Sequence, residues 1–130
     1  PVYFDKCERY VSENDIENVE LVPNASSEQL SDELKQRRVF LHSMKDERFG
    51  IATVEGINHG CVPVVHNSGG QKEVVPWPSF RYTTSEECEK IIGTVLAGDS
   101  PPESEIRPHL DKFTNKAFQT RLREEFKISI

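Results

Sequence analysis

One methionine, one tryptophan and three cysteines among 130 residues leave few places for redox or soft-metal chemistry. Cys7, Cys61 and Cys88 are odd in number, far apart and form no C-x-x-C pair, so neither a disulfide framework nor a zinc knuckle is expected. Three free thiols in a reducing cytoplasm is the expectation. His42, His59, His66 and His109 show no metal-ligand spacing, and no metal is expected. No apolar run approaches the roughly 18–20 residues a membrane span needs. The opening Pro1-Val2-Tyr3-Phe4-Asp5-Lys6 does not resemble a signal peptide. Excess positive charge is also missing. A net charge of −6 argues against nucleic-acid binding, which needs basic surface to neutralise phosphates. The one basic cluster, Lys35-Gln36-Arg37-Arg38, suits a helix C-terminus. Repeats and low-complexity segments are absent. The missing initiating Met is expected of an excised piece, or of processing.

What is present fits one domain with a sizeable core, spanning residues 1–130. Phe4, Cys7 and Val11 recur at helical spacing and predict a helix over 2–14. Val19, Leu21 and Pro23 alternate, predicting a short strand. Ser26 and Gln29 can form a capping box, after which Leu30 and Leu34 face the core. Val39-Phe40-Leu41-His42 and Val62-Pro63-Val64-Val65-His66 are continuous apolar strands of the kind covered on both faces. Pro63 suggests an edge or strand-start position for the second. Between them Ile51, Val54 and Ile57 form a helical stripe ending at Gly60. Asn67-Ser68-Gly69-Gly70 is a turn, residues 71–75 suit one helical turn, and Phe80-Arg81-Tyr82 is a short strand. Thr84-Ser85-Glu86-Glu87 caps a helix whose stripe is Cys88, Ile91, Ile92, Val95 and Leu96 and which Gly98 ends. Three prolines make residues 99–108 a loop with room for a turn of helix. Residues 114–128 read as a last amphipathic helix burying Ala117, Phe118, Leu122 and Phe126. Strands alternating with helices predict an α/β domain: a Rossmann-like parallel sheet flanked by helices.

In such sheets ligands bind where strands end and loops lead into helices. The loop after the strand at 39–42 carries Glu47, and the loop after 62–66 carries Asn67 to Gly70. A helix starting near Phe49-Gly50 points its first amides at that loop, an arrangement that favours an anion, and Gly50 permits close approach. Glu47 precedes this terminus, and Glu55 lies roughly 7–8 Å inside it at ~1.5 Å per residue. Two carboxylates flanking an anion site make little sense for bare phosphate. They suit a sugar nucleotide, with one carboxylate on sugar hydroxyls, the other on the ribose diol, and the amides between them on the diphosphate. Glycoside hydrolysis also uses two carboxylates, one with a raised pKa, but a helix start between them suits phosphate instead.

These residues also resemble a known family. Glu47-x7-Glu55 with Phe49-Gly50-Ile51 inside it looks like the signature of retaining glycosyltransferases of family 4, or glycosyltransferase group 1, whose GT-B fold sets two Rossmann-like domains across a cleft. Leu41-His42-Ser43-Met44 before the motif, and His66 to Gly70 with Lys72 after it, look like mannosyltransferases that extend lipid-linked oligosaccharides. The resemblance implies the donor-binding part of an enzyme moving a hexose from a nucleotide diphosphate sugar to a glycan or lipid-linked acceptor. Mannose rests on family flavour alone. Glu47 would be the catalytic-site residue, touching donor hydroxyls near the reacting carbon. Phe49, Gly50, Ile51 and Ala52 would hold sugar and diphosphate through their amides, Glu55 would bind ribose, and His42, Gly69 and Gly70 would line the cleft. The leaving diphosphate is expected to assist attack from the same face. No cofactor or metal is expected, in keeping with the missing Asp-x-Asp motif.

Against the family pattern, the acceptor-binding amino-terminal domain and the first two strands of the donor domain are absent. So is the usual Arg and Lys pair for the diphosphate, and Lys45, Arg48 and Lys72 only stand near. The 130 residues alone are therefore expected to lack transferase activity, and the strand at 39–42 to present an open edge, pair directly or dimerise. The whole enzyme is expected in the cytoplasm, at the cytoplasmic face of a membrane. A non-catalytic α/β module binding a nucleotide or a protein is the alternative. Residue by residue the bland readings are specific. Glu47 and Glu55 would be solvated acids, Phe49 and Trp77 packing anchors, His66 structural, and His59 and His109 surface residues. His42 is balanced between a structural and an acceptor-side role.

Overall fold

The computed structural model describes residues 2–114. The chain divides into two compact units, residues 1–32 and 33–130. The amphipathic helix expected at 114–128 lies outside the described residues.

In the first unit, α1 spans Val2–Glu13. Its stripe of Phe4, Cys7 and Val11 is half-buried as the spacing predicts, while Val2, Tyr3 and Tyr10 stay exposed. The strand expected from Val19 to Pro23 is a loop. A strand needs a partner for its backbone groups, and the described sheet contains only three strands from the second unit. Val19 and Val22 are accordingly exposed. The capping box forms as expected: the Gln29 amide donates to Ser26 Oγ at 3.1 Å, and the Ser26 amide donates to Gln29 Oε1 at 2.8 Å. It opens α2 (Ser27–Lys35), in which Leu34 is buried and Leu30, contrary to expectation, is exposed.

The second unit is built on β1 (Val39–His42), β2 (Val62–His66) and β3 (Arg81–Tyr82), all parallel and in that order. Every residue of β2 is buried, so both faces of the central strand are covered. Pro63 thus sits in the central strand rather than at an edge. The Val62 amide donates to Arg38 O at 2.8 Å on the β1 side. Alternation therefore turns Pro63 toward β3, which begins only opposite Val65. The missing N–H falls where no strand awaits it.

Between β1 and β2 runs α3 (Ile51–Asn58), whose buried face is Thr53, Gly56 and Ile57. Ile51, expected on that face, is exposed, as is Phe49, which is therefore no packing anchor. The stripe is displaced because Gly56, not an apolar side chain, meets the sheet. A Cβ on Gly56 would lie 2.6 Å from Phe40 Cγ. The chain continues through α4 (Gln71–Val74) and a 3-10 turn (Pro78–Phe80) to β3. Helix α5 (Ser85–Leu96) follows, with Thr84 as N-cap accepting from the Glu87 amide. Val95 is buried and Ile91 and Ile92 half-buried, but Leu96, the last residue of the helix, is exposed. Arg38 reaches the α5 C-terminus, its Nη2 donating to Asp99 O at 3.2 Å. Residues 99–108, expected as a loop with room for a turn of helix, instead lead into two full turns, α6 (Glu103–Leu110). Pro101 and Pro102 precede the helix, and Pro108 sits late in it, where it denies a hydrogen bond to only one carbonyl. Acids in the first turn and Arg107 and His109 in the last suit the helix dipole. His109 is buried, not surface: its Nε2 donates to Val74 O at 2.7 Å, and its ring meets Trp77 and Phe113 edge-on. His59 is half-buried rather than exposed.

Overpacking a tight core position costs roughly 1–3 kcal/mol. Gly56→Ala should lower stability by about that amount, read as a reduced midpoint in denaturant unfolding with the slope unchanged. An unchanged midpoint would show that Phe40 yields freely.

Candidate functional site

Parallel strands end on the same edge, so the loops after His42 and His66 leave side by side. They are bolted together by backbone contact. The Gly70 amide donates to Glu47 O at 2.6 Å. A Cβ on Gly70 would overlap Arg48 O, and one on Gly69, which has φ 55°, would lie 2.5 Å from Glu47 O. The paired glycines are thus a seat for the Asp46–Arg48 segment, a more specific duty than lining a cleft. Ser68 Oγ adds a bond from the Asp46 amide at 2.8 Å.

On that seat Glu47 is partly buried beside His42, with Nε2 4.0 Å from Glu47 Oε2. The Met44 amide donates to His42 Nδ1 at 3.4 Å. That bond leaves the proton of a neutral ring on Nε2, facing the carboxylate. Three residues on, Gly50 takes φ 65° as the N-cap of α3. A Cβ there would meet Val74 Cγ2 at 2.8 Å, so both the conformation and the space demand glycine. No side chain caps the helix, so its first amides carry the uncompensated donors that favour an anion.

Ile51, Glu55 and Asn58 recur at i, i+4 and i+7 on the face away from Thr53, Gly56 and Ile57, and all three are exposed. Ala52 is exposed as well. Glu55 stands about 6 Å along the axis from the first helical residue. Among the described residues its one close basic neighbour is His59, whose Nδ1 lies 3.8 Å from Glu55 Oε2 and, nearer, 2.8 Å from Glu55 O. Along the chain the two motif carboxylates thus flank an uncapped helix start, Glu47 partly buried and Glu55 exposed. Lys45, Arg48 and Lys72 are exposed nearby, and among the described residues none pairs with a carboxylate.

Sequence reasoning missed three residues here. Ser68 belongs to the turn and to the family-like His66–Gly70 stretch but carries no role of its own in the sequence reading, although a hydroxyl before paired glycines is a usable signal. Gln71 and Thr53 are fully buried, and Gln71 Oε1 and Nε2 and Thr53 Oγ1 have no partner among the described residues. Each such orphan costs about 1–3 kcal/mol. Gln71 Oε1 lies under Gly50, 3.0 Å from where a Cβ would stand. Nothing in the sequence pattern marked them.

Among the described residues, cavities also lie outside the motif. One of ≈ 310 Å³ is lined by Trp77, Glu105, His109 and Lys112 among others. Another, of ≈ 320 Å³, lies between the end of β1 and α5, with Leu41, Tyr82 and Cys88 in its wall. Burial raises the Cys88 and Tyr82 pKa values, and the hydrogen bond between them lowers that of Cys88 and raises that of Tyr82 further. Burial also raises the Cys61 thiol, which donates to Leu34 O at 3.2 Å. Among the described residues no group of three His, Cys, Asp or Glu could hold a metal ion. No described helix is long and apolar enough to cross a membrane.

A parallel α/β sheet with an uncapped, glycine-started helix at its carboxyl edge, flanked by acids, defines a Rossmann-like domain of the kind that holds phosphorylated ligands. Residues 3–76 match the family model described as glycosyl transferases group 1, and the chain belongs to that family. It is similar to a GDP-Man:Man(3)GlcNAc(2)-PP-Dol alpha-1,2-mannosyltransferase of Mus musculus, 45% identical over 113 residues, covering 79% of this chain and 23% of the relative. The protein of the same name from Dictyostelium discoideum is 31% identical over 111 residues, covering 81% and 22%. The one from Yarrowia lipolytica is 33% identical over 95 residues, covering 73% and 14%. The chain thus spans less than a quarter of the length of these relatives. No solved structure matches it.

If the glycine seat holds the motif loop, Gly70→Ala should unfold or detach it, with a stability loss of at least 2 kcal/mol, on the order of the larger packing defects. Gly93, with open space around its Cβ position in α5, is the control. Gly93→Ala should stabilise by about 0.4–1 kcal/mol. Thermal unfolding of the two variants checks both signs, and equal effects would contradict the seat.

Proposed function

We propose that this chain is the donor-binding part of a retaining mannosyltransferase that takes mannose from GDP-mannose and passes it to a lipid-linked oligosaccharide. The names of the relatives support the donor and the acceptor class. The observation that carries the site assignment is the uncapped start of α3, preceded by a partly buried Glu47 and followed by an exposed Glu55. In this reading Glu47 accepts hydrogen bonds from mannose hydroxyls, with His42 beside it steadying the carboxylate. Backbone amides from Phe49 to Ala52 hold the sugar phosphate and the diphosphate, with Gly50 leaving room for close approach. Glu55, one turn further, takes the ribose diol. Gly69 and Gly70 hold the loop that presents Glu47. Same-face attack with assistance from the departing diphosphate then requires no nucleophilic side chain, and no metal or cofactor is assigned. The acceptor, and the cations that complete the diphosphate grip, come from outside these residues. The whole enzyme works at the cytoplasmic face of a membrane.

Binding measurements on the full-length polypeptide test the ribose role. A hydrogen bond to a charged group contributes about 1.5–3 kcal/mol, so Glu55→Ala should weaken GDP binding roughly ten- to hundredfold. Removing the ribose hydroxyls from GDP should cost the unsubstituted protein the same and cost the variant nothing more. Equal binding of GDP by both proteins would remove the assignment.

A further inference from the structure

Ser68 touches no residue assigned to the donor directly, yet it joins the two loops at the point where the motif begins. Its Oγ is 2.8 Å from the Asp46 amide, which donates to it, and 2.8 Å from His66 Nδ1. The hydroxyl accepts from Asp46 N–H and on its other side pairs with His66 Nδ1, the ring tautomer deciding which of the two gives the proton. His66 is in turn fixed, buried at the end of β2 and edge-on to Tyr82 at 5.6 Å and 87°. The rigid central strand thereby orients the hydroxyl, and the hydroxyl orients the loop.

The loop needs such a hold. Asp46 has φ 55°, a left-handed conformation that an L-residue adopts only at a cost. Held at its amide by Ser68 and followed by Glu47, whose carbonyl takes the Gly70 amide, the two-residue step is clamped on both sides. Its backbone sets where the Glu47 side chain starts.

We propose that Ser68, oriented by His66, is a positioning residue that aims the Glu47 carboxylate at the donor sugar, an inference resting on the donor-site reading above. Gly70 holds the loop to the sheet; Ser68 sets the direction of its acid. The two duties separate by ligand. Losing the seat disturbs everything bound there, whereas losing the aim disturbs only the sugar contribution.

The test compares GDP-mannose with GDP, using full-length protein and its Ser68→Ala, Ser68→Thr and His66→Phe variants. Ser68→Ala should weaken GDP-mannose about tenfold, the effect of one hydrogen bond to a charged group, and leave GDP within about twofold, a margin small against one such bond. Ser68→Thr, which keeps the hydroxyl, should restore GDP-mannose binding. His66→Phe, which keeps a ring against Tyr82 but removes the nitrogen that pairs with Ser68, should lie between. Hydrogen exchange at the Asp46 amide should quicken in Ser68→Ala, and the ring nitrogen shifts of His66 should move when the hydroxyl is removed. Unchanged GDP-mannose binding in Ser68→Ala overturns the inference while leaving the donor-site reading intact. Equal losses of both ligands reduce Ser68 to a structural role and also overturn it. Failure of the unsubstituted protein to bind GDP-mannose overturns the donor-site reading and, with it, the inference.

Discussion

Two stretches of backbone meet where side chains would keep them apart. The Asp46–Arg48 segment lies against Gly69 and Gly70 so closely that a single methyl on either glycine would collide with main-chain atoms. Because backbone cannot retreat as a flexible side chain can, the contact is a constraint, not a preference. It brings the ends of β1 and β2 into one surface, places Glu47 beside His42, and fixes the direction from which the chain enters α3. Gly50 extends the same logic by one step. Its left-handed turn against Val74 lets the helix start where it does. Three of the seven glycines thus build the edge on which the family's motif sits.

The electrostatic character of the site follows from this geometry. An uncapped helix start presents partial positive charge, which anions satisfy. Here the protein supplies acids on both sides but none as a cap, so the anion-seeking amides remain open while the carboxylates remain available for hydroxyl groups. The pattern fits a ligand carrying phosphate in the middle and diols at both ends. A net charge of −6 does not oppose the proposed diphosphate grip, because local backbone dipoles, not net charge, act at the contact.

Much of this was legible in the sequence. The order of strands and helices from Val39 to Leu96 was readable because continuous apolar runs, a capping box and terminal glycines each have one dominant physical meaning. The motif and its neighbourhood were legible for the same reason, since Glu47 to Glu55 sits between two unmistakable strands. The misreadings have physical causes. Val19 to Pro23 has the alternation of a strand, but alternation does not supply a partner. Ile51 and Phe49 are apolar yet exposed, because composition reports hydrophobicity and not which face a helix turns to the sheet. That face was decided by Gly56 against Phe40, a fit no periodicity encodes. Residues 103–110 were hidden by prolines that flank a helix or fall late in it. The buried Gln71 and the Ser68 bond depend on contacts between residues more than twenty positions apart or beneath a turn, and no local pattern announces them.

The account stands on one claim, that the ligand is held across the start of α3 between the two motif carboxylates. Titrating the labelled full-length polypeptide with GDP-mannose and following each backbone amide tests it directly. The account predicts the largest changes at Phe49, Gly50, Ile51 and Ala52, with Glu47 and Glu55 on either side and little at Trp77, Glu105 or Lys112. Changes centred on the Trp77 cavity, with the amides of residues 49–52 unmoved, would contradict it.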